Sequence, residues 1–371
     1  MIRLEKRPAP SRLFAVAAPF IAVGLTMVAG GLMFAALGTD PFAALKTIFY
    51  DPLFDERFAP FSRPQLLVKA GPLILIAIGL SIGFRAGIWN IGAEGQYIMG
   101  ALLGAAVGLA AFPAESVFLF PAMVIAGAVG GLLWAMIPGL LRTTFNTNEI
   151  LVSLLLVYVA QQILAAMALG ALRNPDGGGF PGSRNLSQYE SASNPDLLEG
   201  MVLMGQTLGP TGLHWGVVTA FLAVIAGYML LSHHLLGFHI RVTGESPRAA
   251  RFSGVGPKRL ILICMGISGA LAGLAGLFEV SGPAGQITIN FNSGYGFTAI
   301  IVAFLGRLHP FGILLAGLLM ALTYIGGELA ALLLGLPAAA IQAFQGMLLF
   351  FLLGVDVLTN YRIRLSGRRA A

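Results

Sequence analysis

Residues 66–112 read LLVKAGPLILIAIGLSIGFRAGIWNIGAEGQYIMGALLGAAVGLAAF, and this stretch decides the class of fold. Its first part, Leu66 to Phe84, is apolar apart from Lys69 and Ser81, and its last part is apolar again to Phe112. A helix needs about 20 apolar residues to cross the hydrocarbon of a bilayer, so Leu66 to Phe84 is long enough to span, and the second arm is long enough when it is counted from near Gly87 to Phe112. Between them, RAGIWNIGAEGQYIMG (Arg85 to Gly100) sets Arg85, Asn90, Glu94 and Gln96 among Gly87, Gly92, Gly95 and Gly100. Irregular polar backbone at membrane depth survives only where protein buries it or where it lines a cavity. The stretch therefore predicts two membrane helices joined by a broken, polar crossover. An ionisable residue inside a membrane is a functional hypothesis by default, and Glu94 is that residue here. Two readings stay open for it. It walls a substrate or gating cavity, or Glu94 or Asn90 caps backbone groups inside a packed interface. A lone glutamate without a basic partner in the neighbouring spans does not make a proton pump.

Outward from this stretch the same pattern repeats. Further spans are expected at Arg12 to Leu37, Val117 to Pro138, Glu149 to Gly170, Leu213 to Ser232 and Leu260 to Val280. A short one is expected near Gly294 to Leu308, then Phe311 to Leu329 and Pro337 to Val357. With Leu66 to Phe84 and Gly87 to Phe112 the total is about ten. Composition agrees: 57% of the 371 residues are hydrophobic and only 10% are charged, against about 25% in a soluble domain. Mean hydropathy is +0.84. The 49 glycines suit close packing between membrane helices. The runs are too long and continuous for a β-barrel, whose segments alternate over about ten residues, and no strand is required. The expected class is an all-α polytopic membrane protein. The apolar stretch after the basic N-terminus is long enough to span, so it reads as a retained first helix rather than a cleaved signal.

Lys/Arg bias orients the chain. Arg3, Lys6, Arg7 and Arg12 place the N-terminus inside, and Arg362, Arg364, Arg368 and Arg369 place the C-terminus there too. An even number of spans follows. Arg142, the segment His233 to Arg259, and Arg307 with His309 then fall inside. The loops Gly38 to Gln65 and Leu172 to Gly212 fall outside.

Three further segments carry polar pattern. GFHIRVTGESPRAARFSGVGPKRL (Gly237 to Leu260) is too polar to span. Thr243 or Ser246 can cap a short helix there, and Pro247 suits a first turn. Ala249, Ala250, Phe252 and Val255 would form an apolar patch, with Gly254 and Gly256 ending the element. It is either a docking element for a soluble partner or a basic surface loop. SGPAGQITINFNSGYGFTAIIVAFLGRLHPFG (Ser281 to Gly312) again mixes glycine with Gln286, Asn290 and Asn292 ahead of a short helix. Paired broken helices in two inverted halves are the best sequence pointer to a translocation path. Phe291, Tyr295 and Phe297 can stack on a ring-shaped solute or simply pack. RNPDGGGFPGSRNLSQYESASNPDLLEG (Arg173 to Gly200) has no hydrophobic core of its own, so its ordering is expected against a partner or not at all.

Other chemistry is excluded. There is no G-x-x-x-x-G-K-[ST] phosphate loop and no H-E-x-x-H. Cys264 is the only cysteine, which rules out an intramolecular disulfide and a cysteine-cluster metal site. His233 and His234 are adjacent, with no cysteine or acid close by in sequence to complete a metal site; His214, His239 and His309 stand alone. The formal charge of +6 is spread over short inter-span segments, not gathered on a face for nucleic acid.

GIWNIGAEGQYIMGA (87–101) together with TGESPRAARFSGV (243–255) resembles the permease subunits of bacterial ABC importers. The likeness is to their simple-sugar and nucleoside branch, in the family that also holds ribose and branched-chain amino acid permeases. It runs from about Leu66 to about Asn360. It implies a single permease domain over 1–360 of the type II importer architecture, with inverted halves over 66–170 and 260–358. It also implies a coupling segment over 237–260 and a basic tail over 361–371.

By the same resemblance, Gly244, Glu245, Ser246, Pro247, Ala249, Ala250, Arg251, Phe252, Ser253 and Gly254 dock on a cytoplasmic ATP-binding subunit. That subunit holds the ATP and magnesium, so no cofactor and no catalytic residue is expected in this chain. A second permease subunit, homologous or identical, completes the pore, and an extracytoplasmic binding protein delivers a nucleoside or simple sugar. The setting is the bacterial inner membrane. Asn90, Glu94, Gln96, Gln286, Asn290, Asn292, Phe291, Tyr295 and Phe297 are the expected pathway or gate positions. The competing reading, an ion-coupled secondary transporter, would need carboxylates well inside the spans. Glu94, Glu149, Glu279, Glu328 and Asp356 are available, most of them at span edges.

Overall fold

The computed structural model describes residues 2–6, 12–200, 202–203, 206–207, 210–252, 254–291 and 293–365. Helices dominate: α1 (Arg12–Ala36), α2 (Pro41–Phe49), α3 (Asp51–Phe54), α4 (Ala59–Arg85), α5 (Ala93–Ala111), α6 (Leu119–Phe145) and α7 (Glu149–Leu169) come first. After a long connection follow α8 (Trp215–His233), α9 (Leu235–Glu245), α10 (Pro247–Phe252), α11 (Pro257–Ser281), α12 (Tyr295–Leu305), α13 (Pro310–Leu334) and α14 (Ala338–Asn360). Eight of these are long and apolar enough to cross a membrane. The sequence implies about ten; among the described residues α5, which starts polar, is not one of the eight, and α12, with 11 residues, is too short. The chain is an all-α, multi-pass membrane protein.

Two compact units divide it, residues 1–59 with 322–371, and residues 60–321. In the first unit α1 packs along α14. Phe34 stacks on Phe344 with ring centroids 5.9 Å apart, and Ala44, Ile48, Ala330 and Ile341 complete the core. Two short strand pairs accompany the helices. β1 (Ile2–Lys6) and β4 (Tyr361–Leu365) pair antiparallel with Arg3 opposite Arg364, so residues 361–365 are not a free tail. A second pair, β2 (Val202–Leu203) with β3 (Gln206–Thr207), belongs to the other unit. The expected loop 38–65 is also largely helical. The Asp40 side chain caps α2 by accepting from Phe42 N–H at 3.0 Å, Pro41 starts it, and Lys46 pairs with the buried Asp51.

In the second unit α4 is the central helix, buried all round along most of its length, as expected of a helix apolar on every face. Beside it α5, α6 and α11 meet through glycine. A Cβ at Gly100 would strike the backbone of Gly273, one at Gly131 the carbonyl of Gly269, and one at Gly276 the carbonyl of Tyr97. Such contact brings backbones close enough for dispersion to hold helices together in lipid, where no hydrophobic force separates helix from tail. α5 begins at Ala93, later than the expected Gly87, and α6 runs on to Phe145, past the expected Pro138. Asn148 caps α7 by accepting from the N–H groups of Ile150 and Leu151.

The connection 173–200 orders against this chain itself, a correction to the expectation that it needs a partner. Ser183 N–H donates to Ile287 O at 2.9 Å, Leu186 N–H to Gly285 O at 2.6 Å, and Asn194 N–H to Ser281 O at 2.8 Å. Leu186, Tyr189 and Ala192 are buried. Its core is borrowed from the ends of α5 and α11.

Candidate functional site: the two broken crossovers and the segment beneath them

α4 ends at Arg85, and the chain turns back through 86–92 before α5. Gly87 makes the turn at φ +73°, a left-handed conformation that a side chain would resist. Asn90 and Gln96 then face each other as a reciprocal amide pair. Asn90 Nδ2 donates to Gln96 Oε1 at 2.8 Å, and Gln96 Nε2 donates to Asn90 Oδ1 at 2.9 Å. Asn90 Nδ2 also donates to Ser268 Oγ on α11 at 3.0 Å, and Asn90 Oδ1 accepts from Gly92 N–H. All three side chains are buried. Ile91 N–H donates to Ser153 Oγ on α7 at 3.2 Å.

Glu94, fully buried, does the capping. Its Oε1 accepts from Gly294 N–H at 3.0 Å and its Oε2 from Gly296 N–H at 2.5 Å. These are groups at the start of α12, whose first-turn N–H groups have no partner within the helix. A carboxylate there meets both the open donors and the positive end of the helix dipole. The start of α5 thus holds the start of α12. Tyr97 adds to the joint, stacking on Phe291 at 5.3 Å and meeting Tyr295 edge-on at 6.0 Å. Phe84, Trp89 and Phe304 stack together, and Arg85 Nε donates to Leu308 O at 3.0 Å.

The expected pathway positions therefore divide. Asn90, Glu94, Gln96, Phe291 and Tyr295 are buried and matched to protein groups, whereas Gln286, Asn290 and Phe297 are exposed. Asn292 lies outside the described residues. Sequence reasoning missed Ser268 and Ser153, whose partnership with 90–91 leaves no local signal.

Under the crossover lies the segment 235–256. It forms two helices rather than one. Ser246 Oγ accepts from Ala249 N–H at 3.4 Å, and Pro247 opens α10. The expected apolar patch splits, because a six-residue helix turns its side chains to both sides. Ala250 and Val255 sink into a cluster with Ile82, Ala86, Ile88, Ile240 and Cys264. Ala249 and Arg251 are exposed, and Phe252 is 96% exposed. Ser253 lies outside the described residues. Gly244 rests directly on the end of α4, where a Cβ would strike the Arg85 carbonyl. The turn between α6 and α7 flanks this region, with Arg142 Nε 3.3 Å from Glu149 Oε2. Among the described residues no group of three or more His, Cys, Asp or Glu stands together to hold a metal.

Comparisons with known proteins bear on this architecture. The family described as "Branched-chain amino acid transport system / permease component" matches residues 63–353. The glucose ABC transporter permease protein of Haloferax volcanii is 34% identical, over 99% of this chain and 95% of its own. The guanosine ABC transporter permease protein of Bacillus subtilis is 28% identical over 95% and 96%. A nucleoside ABC transporter permease protein of Lactococcus lactis is 25% identical over 91% and 90%. No solved structure matches. The span from 63 to 353 takes in both broken crossovers and the segment between them, and the chain belongs to the family of branched-chain amino acid transport system permease components.

Proposed function

We propose that this chain is one of two permease subunits, homologous or identical, that line the pore of an ATP-driven importer for a neutral simple sugar or nucleoside. As an ABC transporter permease it works with an ATP-binding subunit and a solute-binding protein, and such permeases are non-catalytic. The substrate class rests on relatives described as glucose, guanosine and nucleoside permeases. An ion-coupled carrier is not favoured. Glu94 is matched by two backbone N–H groups and Glu149 faces Arg142, so neither is a spare carboxylate.

The observation that carries the mechanism is the seat of Gly244 on Arg85. Gly244, Glu245, Ser246, Pro247, Ala249, Ala250, Arg251, Phe252, Ser253 and Gly254 form the coupling element, with Phe252 and Arg251 as its outward contacts. Motion imposed on α10 reaches Gly244, then the end of α4, then the crossover 86–92. From there Glu94 carries it to α12. Asn90, Gln96, Phe291 and Tyr295 keep the joint rigid, while Gln286, Asn290, Asn292 and Phe297 border the path. The inverted halves are 66–170 and 260–358. Both termini are cytoplasmic; the Lys/Arg bias supports this, and the β1–β4 pair, which sets both ends together, suits an even number of crossings.

Proteoliposomes holding the full transporter test the reading, with loaded binding protein and Phe252→Asp as the variant. Wild type should take up glucose or guanosine only with ATP. The variant should bind the ATP-binding subunit weakly and lose uptake. Uptake that follows an ion gradient without ATP, or a permease that binds no ATP-binding subunit, would overturn it.

A further inference from the structure

At the ends of α4, α8 and α11 remote from the coupling element, a cavity of about 360 Å³ opens between the connection 173–214 and the helix ends. That volume lies in the range of roughly 300–1,000 Å³ usual for small-ligand sites. Gln65, Ser187, Ser193, Asp196, His214 and Gly282 are among its walls.

His214 is 3% exposed. Its Nδ1 accepts from Gly216 N–H at 3.0 Å and lies 3.1 Å from Asn194 Nδ2. Both neighbours are donors, so Nδ1 presents its lone pair and the ring proton sits on Nε2. Burial holds the imidazole down to about 4 against the pull of Asp196, so the ring is neutral at physiological pH. Nε2 is buried with no hydrogen-bond partner. Buried donors are nearly always matched, so an orphan one calls for an explanation. The Cδ2 edge beside it faces Gly282, another wall of the cavity.

The other walls define what would satisfy it. Asp196 takes four donors: Leu198 N–H at 3.0 Å, Thr211 N–H at 2.5 Å, Thr211 Oγ1 at 2.7 Å and Gly212 N–H at 2.7 Å. Its lone pairs are used, and it leaves a negative charge beside the cavity. No Lys or Arg lines the cavity, so an anion is disfavoured. Gln65 Oε1 accepts from none of the described residues, and Ser187 Oγ, which donates to Asn185 Oδ1 at 2.6 Å, keeps lone pairs free. One buried donor and several open acceptors suit a neutral molecule rich in hydroxyl groups.

We propose that this cavity is a receiving subsite for a neutral polyhydroxylated solute of monosaccharide or nucleoside size, with His214 Nε2–H donating to a solute oxygen. The proposal rests on the importer reading and deepens it by giving the permease its own contact with solute.

The test is direct binding to the full transporter in nanodiscs, without the binding protein, by saturation-transfer NMR with glucose, guanosine and glucose 6-phosphate as probes. Wild type should bind a neutral probe and discriminate against the phosphate. His214→Phe and Gln65→Leu should each weaken binding tenfold or more, and His214→Gln, which keeps an acceptor and an N–H, should weaken it less. Gln65→Leu caps no helix, so it keeps the test alive if His214→Phe fails to fold. Absence of neutral-probe binding to wild type, or equal binding by wild type and Gln65→Leu, overturns the subsite. ATP-driven uptake measured in parallel separates the two ideas. Uptake without binding sinks the subsite alone, and binding without ATP-driven uptake sinks the importer reading alone.

Discussion

Glu94 on α5 caps Gly296 on α12 across 202 residues of sequence, with Oε2 accepting the glycine N–H at 2.5 Å. Together with the bond from Gly294, it makes the polar start of one broken segment the cap of the other. Glu94→Ala should leave both N–H groups unmatched inside the protein, a cost of about 2–4 kcal/mol. Glu94→Gln keeps one acceptor and should cost about half as much. Thermal unfolding of the purified transporter reads the stability, and ATP-driven uptake reads the gate. Uptake should fall further than stability does, since the cap joins the moving parts. An unaltered melting profile for Glu94→Ala would rule the cap out.

Gly273 stands where α6 and α11 touch, and a Cβ on it would strike the carbonyl of Gly127 and the backbone of Gly131. Gly273→Ala therefore forces backbones apart and should destabilise by about 1–3 kcal/mol. Gly24 on α1 makes the control, because a Cβ there meets nothing within 4 Å. Gly24→Ala should be neutral or raise stability by up to about 1 kcal/mol through helix propensity. Melting temperatures of the two variants should move in opposite directions or one not at all. Equal losses would mean the glycine seam is not what holds these helices.

Gly244→Val should separate coupling from assembly. The new side chain collides with the Arg85 carbonyl, while Phe252 and Arg251 remain free to dock. The expected outcome is normal co-purification of the ATP-binding subunit, with stimulation of ATPase by loaded binding protein reduced tenfold or more. Loss of co-purification instead would place Gly244 in the docking contact itself.

How much of this was legible differs by element. Long spans such as α7 and α11 are readable because lipid demands an unbroken apolar run, which the sequence must carry locally. α2 has local signals too, Asp40 ahead of Pro41, but nine residues look like loop beside spans twice as long. The connection 173–200 has no apolar pattern because its core belongs to others, with Leu186 against Gly108 and backbone bonds to 281–287. Glu94 could be recognised as unusual but not assigned, since its partners are backbone N–H groups that every residue possesses. For α10 the pattern named the right helix and the wrong face. Alanine and phenylalanine both read as apolar, and only packing shows that Ala250 is inside and Phe252 outside.

His214 gives the connection that leads into α8 a pH dependence whose sign follows from its surroundings. Burial lowers its pKa from 6.5 to about 4, so between these values the unfolded chain binds a proton that the folded chain does not. Stability is complete above about pH 6.5, falls as pH drops toward 4, and changes no further below that on account of this group. The shift of 6.5 − 4 units corresponds to about 3 kcal/mol. Asp196 works lower on the scale. Burial opposes its ionisation, but the Thr211 hydroxyl and three backbone N–H groups outweigh that and hold it below 3.8, outside the His214 window. Melting the transporter between pH 7 and 4.5 should show a steady loss of stability, and His214→Gln, which does not titrate, should flatten the profile. Parallel profiles for wild type and variant would mean that His214 is hydrated in the folded protein, and its Nε2 would then need no partner from a solute.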